Sequence, residues 1–322
     1  MNMYPIKMIA PCKDYIWGGT KLKTEWGKKS DLDIVAESWE LSSYPGSESI
    51  AANGEFEGKT LTEILEALGG KKALGTDCAD FVRFPVLIKL IDAKNDLSIQ
   101  VHPDDEYALK NENEFGKTEM WYIVDADEGA SLVYGFKKDV TKEEYKQAIE
   151  NNTLMDILNK VPVHKGDVFF IPAGMVHAIG SGILIAEIQQ NSNITYRVYD
   201  YGRLGADGKP RELHVEKAVE VSNLKGASDV DCKRESVMKD GYSVASLASC
   251  KYFNTEKIDV ISDVTLCACD KSFVSLLFLD GEGTVETADT CVSFNKGESF
   301  FIPAGMGEFK VCGKSSFILT RV

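Results

Sequence analysis

The heptapeptide FFIPAGM occurs twice, at residues 169–175 and 300–306, and the match extends beyond it. Aligned, KGDVFFIPAGMVH (165–177) and KGESFFIPAGMGE (296–308) keep Lys-Gly, an acid at the third place and the heptapeptide, at a constant offset of 131 residues. A self-match of this kind predicts two copies of one β-domain. Each copy reads the same way physically. Lys-Gly-Asp/Glu turns the chain, the aromatic run is a strand, and Pro-Ala-Gly ends it because proline cannot continue the ladder. At the last aligned position the first copy carries His177 and the second Glu308.

The rest of the chain agrees with a β architecture. The runs at 81–91, 119–124, 167–172, 183–190, 273–279 and 299–303 are rich in Val, Ile, Phe and Tyr and are separated by turn signals such as DADEGA and DGEG. Helical patterns are few and short. Thr60 with Glu63, and Thr141 with Glu144, are placed as capping boxes, and 140–160 reads as two short helices. Many strands, few helices and no βαβ alternation predict a mainly β chain of two jelly-roll units. The units are expected at 1–225, with short helical insertions near 103–116 and 140–160, and at 226–322. The polar stretch NLKGASDVDCKRES (223–236) joins them.

A chain of 322 residues is long enough for each unit to bury its own core. A net charge of −14 with no Lys/Arg cluster argues against a nucleic-acid partner and against an anionic membrane surface. No apolar run approaches the ~20 residues of a membrane span, and the N-terminus does not read as a secretory signal. These features predict a cytoplasmic protein, and nothing in the sequence calls for an obligate protein partner. The eight cysteines form no disulfide framework and are expected to be free and mostly buried, Cys267 and Cys269 as small core residues.

The chemistry concentrates around the first copy of the repeat. In LSIQVHPDDEYA, Gln100 and His102 are two apart and so share a strand face. In GKTEMWY, Glu119 heads another strand, and His177 ends the repeat. Two imidazoles, a carboxylate and an amide oxygen converging inside a barrel are borderline-to-hard ligands suited to Zn²⁺, while Mn²⁺ and Co²⁺ fit the same set. Each residue alone is unremarkable, and only the joint pattern marks them as ligands. His164 and His214 read instead as ordinary satisfied or surface residues. The second unit has no histidine, since the last in the chain is His214, so it is expected to be metal-free.

These motifs resemble those of the cupin superfamily, Gly-x5-His-x-His-x3-4-Glu-x6-Gly and Gly-x5-Pro-x-Gly-x2-His-x3-Asn. The second matches at 166–177 without the final Asn. In the first, Gln100 stands for the leading His and sixteen residues separate His102 from Glu119. Together LSIQVHPDDEYA, GKTEMWY and PAGMVHAIG resemble the type I phosphomannose isomerases, in their short bacterial form with two cupin units. The resemblance runs from DYIWGG (14–19) and ESWELS (37–42) into the second cupin copy.

It implies an aldose–ketose isomerase that interconverts mannose 6-phosphate and fructose 6-phosphate through an enediol(ate), with one Zn²⁺ per chain on Gln100, His102, Glu119 and His177. Glu187 and Arg197 are ten apart, the family's spacing between an active-site acid and its essential arginine. With Lys117, which shares the face of Glu119 if the strand has begun, they are the implied catalytic residues. Alternation in ILIAEIQQ puts Glu187 on a face with Ile183 and Ile185, which favours an inward carboxylate. Ser98, Lys89, Lys117 and either Lys209 or Arg211 are the candidates for the phosphate of the substrate, a phosphorylated hexose. Lys89 interrupts the apolar run PVLIKLI and is either buried with a partner or a strand-edge charge. Trp17 matches a family position beside the active site. Trp39, Trp121 and Tyr122 are further aromatics for a sugar pocket, with Trp121 reading best as core.

Two other classes share parts of this pattern. Two His and a carboxylate also make the facial triad of non-haem Fe(II) oxygenases. A non-catalytic sugar-binding or storage-type bicupin would keep the fold without needing Lys117, Glu187 and Arg197.

Overall fold

The two copies of the repeat fold alike as far as their turn. The strands Val168–Ile171 and Ser299–Ile302 each run into Pro-Ala-Gly, and Gly174 and Gly305 both take left-handed φ, +85° and +79°. A side chain at either position would be strained there. The computed structural model describes residues 3–205, 208–227 and 230–322. Ser228 and Asp229 of the polar connector, and Met1 and Asn2 of the N-terminal stretch, lie outside the described residues.

The first unit is built of two facing sheets. A six-stranded antiparallel sheet runs in the order Val168–Ile171, Glu119–Ala126, Ile183–Gln190, Val86–Ala93, Glu37–Leu41, Cys12–Lys13. A five-stranded sheet runs Tyr196–Tyr199, Ile99–Val101, His177–Ala178, Ser131–Phe136, Leu158–Pro162. Trp121, Ile123, Ile91, Ile171, Ile183 and Ile185 from the larger sheet pack inward with Leu132 and Ile179. The first long strand begins at Val86, because Phe81–Pro85 is non-strand chain ending in proline.

Both outer faces are also covered. Ile88, Leu90, Met120, Tyr122, Leu184, Ala186 and Ile188 turn the other way, onto Phe253, Phe273, Leu277, Phe301 and Ile318 of the second unit. That is why Val86–Ala93 and Ile183–Gln190 are buried at every position. The outer face of the five-stranded sheet is covered through Tyr145, Ala218 and Val219 of helices Lys142–Glu150 and Val215–Val221. Both capping boxes form as expected, at Thr60/Glu63 and Thr141/Glu144. The expected insertion at 103–116 carries one helix, Asp105–Glu112.

The second unit takes a strand from the N-terminus. Ile6–Ile9 pairs antiparallel with Ser299–Ile302 inside an 11-stranded sheet. Its interior is filled by Phe278, Phe294, Phe300, Phe309 and Phe317, with Phe278 and Phe294 stacked at 3.7 Å. Burial of one such ring stabilises by about 1.5–3 kcal/mol. Glu308 is exposed and its neighbour Phe309 points inward, so an aromatic plug occupies the interior.

The cysteines depart from expectation. All eight are free thiols, but only Cys78 is fully buried, and Cys267, Cys269 and Cys291 are exposed. In the strand Asp263–Ala268, Val264 and Ala268 are buried, and alternation sends Cys267 to solvent. Among the described residues no helix is long and apolar enough to cross a membrane.

Candidate active site

Strand register places the predicted site residues in two facing rows. On the five-stranded sheet, Arg197 lies opposite Gln100, and Gln100 opposite His177. On the six-stranded sheet Trp39, Lys89, Glu187 and Trp121 form one row, each the register partner of the next. Glu119 lies one step along, opposite Gln189. Directly paired residues in a sheet project to the same face. The two rows therefore meet across the barrel interior.

His102, Glu119 and His177 come together with their ligand atoms all within 4.8 Å of one another. His177 Nε2 lies 3.3 Å from Glu119 Oε1, and His102 Nε2 3.6 Å from Oε2. Each imidazole spends its Nδ1 on a backbone carbonyl, His102 on Ile194 at 2.7 Å and His177 on Met175 at 2.8 Å. Those bonds fix the tautomer and leave the Nε2 lone pairs facing the carboxylate. Burial, reinforced by Lys117, pushes both histidines down, His177 to about 4 and His102 well below its ordinary value. The rings are thus neutral, the form that ligates metal.

Glu119 is fully buried, and neither of its oxygens has a hydrogen-bond partner, nor does His177 Nε2. Lys117 Nζ stands 2.6 Å from Glu119 Oε2 and 3.3 Å from His102 Nε2, so its ammonium answers part of the carboxylate's charge, while Oε1 and His177 Nε2 stay unpaired. Burial and the neighbouring Glu187 raise the Glu119 pKa. Buried acceptors left without hydrogen-bond partners are costly unless a cation takes them up. This donor set, with Gln100 on the same row as His177, fits a divalent metal.

A cavity of about 350 Å³ opens beside these ligands. Gln100, Lys117, Glu187, Lys89, Ser98, Arg197, Arg211 and Trp17 all line it. Lys89 is buried and paired, 3.4 Å from Glu187 Oε1 and 3.5 Å from Glu37 Oε2, over the Trp39 ring. It is therefore the buried alternative, not a strand-edge charge. Burial would raise the Glu187 pKa, but Lys117, Lys89 and a hydrogen bond from Trp121 outweigh it and hold the carboxyl below its ordinary value.

At one wall Arg197 Nε donates to Ser98 Oγ at 3.3 Å. Burial and the nearby Arg211 both lower the Arg197 pKa, the mark of cations crowded where an anion would relieve them. Arg211 is aimed by the buried Asp200, which accepts from its Nε at 2.7 Å and also holds Arg203 at 2.6 Å. Exposed Lys209 lies outside the cavity lining, so of the two basic candidates Arg211 is the one on the wall.

Some lining residues carried no sequence-based assignment. Glu37 and Tyr15 lie in segments that carry the family resemblance, and Asn193, Thr195 and His214 were not singled out as ligands or substrate contacts. His214 Nδ1 accepts from the Arg197 backbone N–H at 3.2 Å, so it is both satisfied and on the wall. Glu37 was findable, because it alternates with Trp39 in ESWEL and must share its face. Tyr122 faces the second unit and is not a pocket residue, and Trp121 is core as expected, though its N–H is not idle.

The chain matches the family model for the phosphomannose isomerase type I catalytic domain over residues 6–130. It also matches the mannose-6-phosphate isomerase cupin domain over 243–322. It is 38% identical over the full length of both chains to the mannose-6-phosphate isomerase ManA of Bacillus subtilis. It is 35% identical to the mannose-6-phosphate isomerase of Streptococcus mutans, covering 98% of each chain. The crystal structure of the mannose 6-phosphate isomerase from Bacillus subtilis superposes with a TM-score of 0.91 at 36% identity, covering 99% of both chains. These matches leave no place for the oxygenase and storage-protein readings. With this fold and this relationship, the chain belongs to the type I phosphomannose isomerase family, an enzyme of two cupin units.

Proposed function

We propose that the enzyme interconverts mannose 6-phosphate and fructose 6-phosphate, with one Zn²⁺ held by Gln100, His102, Glu119 and His177. The observation that carries this reading is the buried donor set with unpaired acceptors, opening on a cavity that Arg197 and Arg211 also line. A zinc ion on these residues supplies Lewis acidity that stabilises negative charge developing on the sugar oxygens.

The reaction is redox-neutral within the sugar. C2 loses a proton and C1 gains one, while O2 gives up its hydroxyl proton and O1 acquires one, through an enediol(ate). Glu187 and Lys117 stand 3.8 Å apart beside the metal ligands, in place to handle these protons as base and acid. Arg197 supplies fixed positive charge where the enediolate oxygens form. Ser98, Arg211 and Lys89 hold the phosphate end, with Lys89 also balancing Glu37 and Glu187. Trp17, stacked on Tyr15 at 5.4 Å, gives the sugar an apolar wall.

In this reading the catalytic unit is residues 1–225 and the second unit, 226–322, is a metal-free scaffold. It seals the back of the six-stranded sheet and borrows the N-terminal strand to do so. Eight free thiols and a phosphorylated metabolite as substrate suit the cytoplasm. The test is turnover by the purified protein. Mannose 6-phosphate should be converted to fructose 6-phosphate and unphosphorylated mannose poorly, whereas equal rates on both would defeat the phosphate assignment.

A further inference from the structure

We propose that Trp121 is a positioning residue for the isomerisation: its indole N–H fixes one carboxylate oxygen of Glu187 so that the other is presented to the cavity. The inference rests on the isomerase reading above. Trp121 is fully buried between Glu187 and Phe169 in the strand register. Its Nε1 donates to Glu187 Oε2 at 2.9 Å. An indole nitrogen is a donor only, so it engages a lone pair of Oε2 and disfavours a proton there relative to Oε1. The remaining oxygen, Oε1, is buried without a hydrogen-bond partner, 3.4 Å from Lys89 Nζ and 3.8 Å from Lys117 Nζ. A proton arriving at Glu187 is thereby directed to Oε1.

The same indole packs edge-on against the ring of His177, centroids 5.3 Å apart and planes at 77°. One rigid side chain thus sets the distance between a metal-ligand ring and the carboxylate that handles protons. A second tryptophan holds the other carboxylate beside Lys89 in a different way. Trp39 Nε1 donates to Glu37 Oε2 at 2.7 Å, the same oxygen that stands 3.5 Å from Lys89 Nζ, so only at Glu187 is the oxygen facing the lysine left untied. A tryptophan present only to fill the core would gain nothing from this alignment, since burying its N–H needs any acceptor and not this one.

The test is Trp121→Phe, which removes the N–H and keeps an aromatic ring against His177, alone and combined with Glu187→Gln. Metal content and thermal midpoint are measured on each variant alongside steady-state kinetics. W121F should lower kcat by about 10–100-fold, the scale of a misplaced reacting group, with KM within about twofold and metal content unchanged. In the double variant the loss should be no greater than in E187Q alone, because Trp121 acts through Glu187. A W121F kcat within about twofold of wild type would overturn the proposal. So would losses that multiply in the double variant, or a loss that tracks missing metal. A wild-type enzyme with no turnover defeats the isomerase reading and this inference with it, whereas an active wild type with an unimpaired W121F defeats this inference alone.

Discussion

Lys89 and Glu187 face each other directly across neighbouring antiparallel strands, Nζ 3.4 Å from Oε1, in a sheet covered on both sides. Burial alone would discharge the lysine, but Glu37 and Glu187 outweigh it and raise its pKa. Removing one partner of such a group leaves the others uncompensated. Lys89→Met should therefore destabilise the protein by about 3–5 kcal/mol. Adding Glu37→Gln should restore part of the loss. Denaturant unfolding checks this, and a K89M midpoint equal to wild type would contradict it.

The three-residue donor cluster makes a sharper claim. His177→Ala removes a ligand from a site that Glu119 cannot satisfy from within the protein. Bound zinc should fall from near-stoichiometric to nearly none after dialysis against a mild chelator, and turnover should fall with it. Metal analysis of the dialysed protein is the check. Full occupancy in H177A would remove His177 from the ligand set.

The arginine wall separates binding from chemistry. In the role proposed for Arg211, Arg211→Met removes a charge-assisted contact to phosphate, and KM for mannose 6-phosphate should rise about 10–100-fold with kcat within a few-fold. Asp200→Asn, which loosens the grip on Arg211 without removing it, should raise KM less. A kcat loss at unchanged KM in R211M would place Arg211 elsewhere in the mechanism.

Asp200 also carries a pH signature. Burial opposes its ionisation, but Arg211 and Arg203 outweigh burial and hold its pKa below the ordinary value. A carboxylate depressed in the folded state stabilises fully above its unfolded pKa and loses that contribution as pH falls through the folded one. The stability gap between wild type and D200N should be constant near neutrality and close below about pH 4. Thermal midpoints of both proteins across that range test it, and a gap that widens on acidification would reverse the sign.

What was legible in the chain follows from how local each signal is. The repeat, the capping boxes and the alternation of Glu187 with Ile185 are fixed by a few neighbouring residues, and these came through as read. That His102, Glu119 and His177 would meet, with Gln100 on the same face as His177, was readable from strand periodicity and the joint pattern, while their role as metal ligands stays a proposal. His214 and Asp200 were not, because their place depends on a loop folding back over the five-stranded sheet. Cys267 was misread because a short strand gives no sign of which face is covered until its partner, Gly307–Cys312, is known. The strand that Ile6–Ile9 lends to the second unit is equally silent, since it spans nearly the length of the chain.

The most direct test of the account is conversion of mannose 6-phosphate to fructose 6-phosphate by the purified protein before chelation, after chelation, and after zinc is added back. Turnover that disappears with the metal and returns with zinc is the predicted result. Turnover that survives complete metal removal would contradict the metal-dependent mechanism, and none in a folded, zinc-loaded sample would contradict the isomerase itself.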